Sequence, residues 1–430
     1  MKGIRIGICV LLAFSVAAHG AVEPWSETIL EIGAALLFLS WGLFRLLASG
    51  TAPTLRWNWL LAPLAGLWAF AVGQYLTGLT AVRFLTKIEI LKFSALLMLS
   101  FLAVQVYQTL EHWRGFVWFL LTLGFLVSVL GILQHFTFNG KLYWFRELRY
   151  GGVPFGPYVN RNHFAGLIEL IVPTGLSIFV LRAEERDRMP LLTLLTLIPI
   201  GALFLSASRG GIVSVFVEVV LVMMLAFLRH GGRNQLVASV IVLLLAGGLL
   251  AWLGVGPALD RFAKYRTLEA TEARRAELRR DTWRIFLEHP IVGTGLGTFE
   301  SVFPRYETLY DGNVVEHAHD DYVEALAETG MIGGILCMTF LVLLFRQNWL
   351  RLVHANSSMA LAFHIGGGVA CCGMLVHSLV DFNLHIPSNA LLFLLQAVLA
   401  TSLISSNRVI PVGHRENTRK SPVVITTESV

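Results

Sequence analysis

Apolar residues arrive along this chain in blocks, with polar residues gathered between them. Each block is close to the roughly 20 residues a helix needs to cross a bilayer. The blocks predict twelve spanning helices, near residues 4–20, 28–47, 59–80, 90–109, 115–134, 163–181, 190–207, 210–228, 236–255, 331–346, 358–380 and 389–405. The first block follows Lys2 and Arg5 and ends in Ala17-Ala18-His19-Gly20-Ala21, a pattern shared by cleaved signal peptides and retained anchors. A retained anchor is the preferred reading, and either one leaves the following chain on the same side.

Two polar stretches interrupt the blocks, about 135–162 and about 256–330. The second is too long for an ordinary connection, and a long loop on a rigid scaffold is a common seat of function. The expected organisation is spans one to nine over 1–255, a large loop over 256–330, spans ten to twelve over 331–405, and a polar, disordered tail over 406–430. Within the loop, Arg261 to Glu288 is highly charged, with Leu268, Leu278, Ile285 and Phe286 at helical spacing. That predicts a helix lying over the membrane surface.

Composition agrees: 55% of the 430 residues are hydrophobic and 14% charged, where a soluble domain has about a quarter charged. Mean hydropathy is +0.67. A soluble cytosolic enzyme, a coiled coil, a disordered chain and a disulfide scaffold are excluded. Cys9, Cys337, Cys371 and Cys372 all lie in apolar runs and read as packing. With the N-terminus in the cytoplasm, the cytoplasmic segments hold sixteen Lys and Arg against eight in the short outer segments. Because long loops are left out of that count, 135–162 and 256–330 are expected on the outer side and both termini inside.

Four places carry candidate chemistry. In Leu205-Ser206-Ala207-Ser208-Arg209-Gly210-Gly211 a guanidinium stands between two apolar spans. A snorkelling arginine needs no flanking serines or paired glycines, so an anion-binding Arg209 with Ser208 beside it is preferred. The loop helix offers Arg274, Arg275, Arg279, Arg280 and Arg284 among Glu272, Glu277, Asp281 and Glu288. Most of these read as solvated i,i+4 pairs. Arg279, four before Trp283, shares a face with that aromatic and suits a bidentate phosphate contact. The run His289-Pro290 to Gly293-Thr294-Gly295-Leu296-Gly297-Thr298-Phe299 lacks the strand a dinucleotide site requires and reads as a sharp turn.

The fourth place is His317-Ala318-His319-Asp320-Asp321-Tyr322-Val323-Glu324. His319, Tyr322 and Val323 are expected on one face of a helix, with His319 as a general base and Asp320 or Asp321 orienting its ring. A metal reading is weak without a further ligand at helical spacing, and none is expected. Asn160 and Asn162, in Gly156 to His163, either bind sugar hydroxyls or cap a helix. Asp381 to Pro387 reads as a structural turn, and His364 and His377 as satisfied bundle histidines.

The Ser-Ala-Ser-Arg209-Gly-Gly junction, Arg279 before Trp283, the His289 to Phe299 run and His319 followed by Gly330 and Gly333 together resemble the O-antigen ligase and O-antigen polymerase superfamily. The resemblance spans about residues 150–400. One position departs: Asp320 stands where the family commonly has Asn, Ser or Gln after the histidine. The resemblance implies an all-α polytopic membrane protein of about twelve spans, similar to the GT-C-like glycosyltransferases. It implies a multi-pass enzyme of the bacterial inner membrane, working at the periplasmic face. The donor would be an undecaprenyl-diphosphate-linked glycan, and the acceptor a glycan, a lipid A-core or a protein. His319 would be the base and Arg209 and Arg279 the diphosphate clamp. Arg280, Ser208, Asn160, Asn162, Asp320 and Tyr322 would bind substrate. No cofactor, metal or nucleic acid is implied. The alternative suggested by the number of spans is a secondary transporter.

Overall fold

The computed structural model describes residues 1–48, 54–148, 152–230, 265–310, 312 and 314–404. Its helices are α1 Lys2–Ala17, α2 Pro24–Leu47, α3 Leu61–Thr77, α4 Arg83–Val106, α5 Leu110–Phe136, α6 Arg161–Val180, α7 Met189–Ser206 and α8 Arg209–His230. After these come α9 Tyr265–Glu288, α10 Phe299–Val302, α11 Asp321–Val353, α12 Ser358–His377 and α13 Pro387–Thr401. No strand occurs among the described residues, only two isolated bridges. Among the described residues eight helices are long and apolar enough to cross a membrane, and α3 and α13 are shorter apolar helices. The protein is thus a polytopic membrane protein.

The expected spans and the observed helices coincide at most positions. The span expected at 236–255 and the tail at 406–430 lie outside the described residues. The span expected at 331–346 belongs to a helix that begins ten residues earlier, at Asp321, because Asp320 accepts the Tyr322 and Val323 N–H groups and caps it there. α1 packs into the bundle with Ile8, Leu12 and Val16 fully buried.

α6 and α12 form the centre, buried along most of their length. They approach closely because α12 presents Gly366 to Thr174 of α6, Gly367 to Gln396 and Ala400 of α13, and Gly368 to Asn348 of α11. Apolar burial contributes little between helices surrounded by lipid, so small residues and interhelical hydrogen bonds carry the packing. Asn348 donates to the His364 and Ala400 carbonyls at 2.8 and 3.0 Å, and Gln396 donates to the Leu170 carbonyl at 2.5 Å.

α11 breaks at Gly330 (φ 61°, ψ −162°), and the break is used. The Thr294 and Gly295 N–H groups donate to the Ala327 and Glu328 carbonyls, while Met331 and Ile332 donate to those of Pro290 and Ile291. The Glu328 carboxylate accepts the Gly297 and Phe299 N–H groups, each at 2.8 Å. A side chain at Gly293 would strike the Glu328 backbone, and one at Gly330 the Ile291 backbone. The glycine run is therefore a turn zipped onto a kinked helix, and it ties the loop to the bundle. Beyond it, α9 buries Leu278 and Ile285 against Phe299, Phe303, Ala318 and Ala327, a small second core that brings the loop helix against the start of α11.

Candidate active site

His319 is not on the helix. Asp320 starts α11, so His319 is held one residue before the cap at φ +54°. A left-handed backbone costs a residue with a Cβ about 1–2 kcal/mol. The position is held from both sides, by the Asp320 cap and by the Ala318 N–H, which donates to Glu324 Oε2 at 2.7 Å. The result turns the His319 ring out, with its side chain 32% exposed. Its Nδ1 lies 3.4 Å from Oδ1 of Asp381, a carboxylate 1% exposed, and its edge meets Phe382.

The carboxylate that faces the His319 ring is therefore that of Asp381, and not that of Asp320 or Asp321. Asp320 is occupied by capping. Asp321 accepts the Leu384 N–H and faces His385. The Asp381 to Pro387 turn, expected to be structural, brings Asp381 beside His319 and His385 beside Glu324. Burial would raise the Asp381 carboxyl, but the His319 ring and the nearby His163 and His377 imidazoles outweigh it and hold the carboxyl well below the usual range. Asp381 is thus a fixed negative charge behind His319. Behind it in turn stand His377, with Nε2 4.0 Å away, and Glu169, hydrogen-bonded to the His377 Nδ1. Glu169 and Glu218 are fully buried in apolar helices. An acidic residue inside an otherwise apolar block was the signal for both.

The remaining predicted residues converge on the same end of the bundle. Arg209 opens α8 and is exposed, and the next residue, Gly210, packs against His377 and Val380. Arg279 is half-buried on α9, and its positive charge acts on Asp320. Burial is the largest influence there and pushes the Asp320 carboxyl above the usual range, against its two N–H bonds and Arg279. Arg280 is exposed on the same helix. Of the other loop arginines, Arg274 pairs with Glu307 at 2.5 Å and Arg284 with Asp281 at 3.3 Å.

Several predicted contacts have structural work to do. Ser208 is buried and accepts the Gly211 N–H at 3.3 Å. Asn160 caps α6 by accepting the Asn162 N–H at 2.9 Å, and Asn162 sits half-buried in the first turn. Tyr158 nearby is buried and bonds Ser388 and Asn389, which pins that segment to α13. Tyr322 donates its hydroxyl to the Leu375 carbonyl at 2.7 Å.

Tyr322 also lines a cavity of about 580 Å³ between α3, α4, α11 and α13. The walls are apolar, among them Leu64, Leu67, Phe93, Leu341 and Phe393, and Glu89, Lys92, Asp321 and His385 add polar groups. Glu89 and Lys92 pair at 2.5 Å. A space of this composition suits an apolar chain attached to a charged head. Next to it, His317 bonds Glu324 through Nδ1 at 2.7 Å, and His385 Nε2 lies 3.4 Å from the same carboxylate. For both imidazoles burial is the largest influence and disfavours the charge. Glu324 outweighs it at His317, whose pKa is raised, while His385 falls to about 4.

Fold and site together define an all-helical polytopic membrane protein with a histidine, a buried carboxylate and exposed arginines gathered at one end of its bundle. Residues 194–338 match the family model described as O-antigen ligase. The match is narrower than the resemblance read from the motifs. It takes in Arg209, Arg279, Arg280, His319, Asp320 and Tyr322, and leaves Asn160, Asn162, Asp381 and His385 outside. No curated protein matches the chain.

Proposed function

We propose that this protein is a glycosyltransferase of the bacterial inner membrane, moving a glycan from undecaprenyl diphosphate to an acceptor hydroxyl at the periplasmic face. The observation that carries the reading is a half-exposed His319, backed by the buried Asp381 carboxylate, inside the segment that matches the O-antigen ligase family. With Nδ1 turned to Asp381, Nε2 takes the proton of the acceptor hydroxyl. Its oxygen attacks the anomeric carbon, the bond to the diphosphate oxygen breaks, and undecaprenyl diphosphate leaves. One displacement inverts the anomeric configuration. Arg209 and Arg279 stabilise the negative charge gathering on the leaving diphosphate, the step where fixed positive charge lowers the barrier most. Two guanidiniums doing this work leave no step that needs a metal. The cavity beside Tyr322 takes part of the polyprenyl tail.

The test is incubation of purified protein with undecaprenyl-diphosphate glycan and candidate acceptors, with products resolved on a gel. A ladder means polymerisation and a single shifted band means ligation. His319→Ala and Arg209→Ala should each abolish product at normal protein level, and full product from either variant sinks the mechanism. Uptake of a solute by proteoliposomes without any lipid-linked donor would instead favour a transporter.

A further inference from the structure

We propose that His317, Glu324 and His385 form a binding site for a divalent transition metal, with zinc the ion they fit best and Asp321 standing beside His385. The site clamps the loop before α11 to α11 itself and to the turn after α12. It does not rest on the glycosyl-transfer reading.

Three separate segments supply the donors. The ligand atoms of His317, Glu324 and His385 all lie within 4.8 Å of one another. His385 Nε2 is 3.4 Å from Glu324 Oε1 and 3.5 Å from Asp321 Oδ1. Ligands of a tetrahedral zinc, each at about 2.0–2.1 Å from it, stand about 3.4 Å apart. His317 Nδ1 and Glu324 Oε1 are closer, at 2.7 Å, and would open by about 0.7 Å to admit an ion. Two imidazoles and a carboxylate are a donor set that zinc takes readily and that magnesium and calcium, which prefer oxygen alone, do not.

A second observation, at Asp321, also points to a ligand. Asp321 is 7% exposed, and its Oδ1, the atom facing His385, is buried without a hydrogen-bond partner. A buried carboxylate oxygen left unpaired is costly, and an ion would satisfy it. The support expected around a metal ligand is also present: Glu324 Oε2 accepts the Ala318 N–H, which fixes the carboxylate so that Oε1 faces the imidazoles. Access exists as well, since Asp321 and His385 line the apolar cavity and the His317 side chain is 27% exposed. The ion would lie two residues from His319 and hold the loop that keeps His319 in its left-handed backbone, without touching the transfer chemistry.

The experiment uses the full-length protein in detergent, stripped with EDTA and then given zinc chloride. Bound metal is measured by mass spectrometry and unfolding by a thermal scan. The expected result is one zinc per chain and a midpoint several degrees higher with zinc than without. His385→Gln and Glu324→Gln should lose both effects, whereas His319→Ala should keep the ion while losing glycan transfer. The proposal is overturned if wild-type protein takes up no zinc, or if His385→Gln binds as much as wild type. Loss of the ion from His319→Ala as well would mean that loop disruption, not ligation, explains the variants, and would equally overturn it.

Discussion

His317 and His319 flank a single alanine and yet enter different chemistry. His319 faces outward, with one buried carboxylate behind it and its other ring nitrogen available. His317 faces the start of α11, bonded to Glu324, stacked on Phe382 and tilted against His385. The divergence comes from the backbone. Ala318 is fully buried with its N–H fixed on Glu324, and the positive φ at His319 turns the second imidazole away from the first. What separates the two rings is thus which carboxylate each meets, Glu324 for His317 and Asp381 for His319, not residue type or exposure.

The sharpest way to break the comparison is at Asp381. Asp381→Asn keeps the shape and removes the charge that, in the proposed mechanism, fixes the His319 tautomer and steadies the imidazolium formed on proton transfer. Loss of that support is expected to lower the transfer rate by about 10²–10⁴-fold, the range for a general base and its orienting group, with normal protein accumulation. Rates from purified protein at saturating acceptor check it. A variant as fast as wild type would show that His319 works without Asp381.

Glu324 tests the other histidine. Glu324→Gln removes a buried charge that accepts from Ala318 and pairs with His317. Leaving these partners short is expected to cost about 2–3 kcal/mol of stability, read as a lower unfolding midpoint in EDTA-treated protein so that no ion contributes. An unchanged midpoint would mean that the His317 cluster does not hold the loop. A smaller effect belongs to the cap between the two regions. Asp320→Ala should cost about 1 kcal/mol and Asp320→Asn a few tenths, since either Asp or Asn caps a helix well. Circular-dichroism melting distinguishes them, and equal losses from both would mean that charge, not capping, is what Asp320 supplies.

The bundle was legible because its signal is local: a spanning helix must be long and apolar, and that constraint is written into each block. Arg209 and His319 stand out for the same reason, as ionisable groups beside apolar runs, and Arg279 for sharing a helical face with Trp283. Asp381 and His385 do not. They come from a turn more than 60 residues downstream, and only the return of α12 and α13 brings that turn beneath the His319 loop. The sequence spacing fits His319 to the first turn of a helix; the competing cap at Asp320 decides where the helix starts. The spacing of the glycine run predicts a turn, but its partner, the kink at Gly330, is a tertiary feature: the freed carbonyls of Ala327 and Glu328 accept the Thr294 and Gly295 N–H groups.

Tyr322 gives the mildest test and the one that separates structure from substrate most directly. It was expected to bind substrate, and its ring does line the apolar cavity, but its hydroxyl is spent on the Leu375 carbonyl. Tyr322→Phe keeps the wall of the cavity and removes one neutral hydrogen bond, so stability should fall by about 1 kcal/mol or less. If the ring alone serves the lipid tail, the transfer rate and the half-saturating donor concentration should both stay within about twofold of wild type, less than the factor of ten that 1.4 kcal/mol would produce. A rise in the half-saturating donor concentration without a change in melting would mean that the hydroxyl leaves Leu375 to reach the substrate. The line between a positioning residue and a contacting one would then run through Tyr322 rather than between the two histidines.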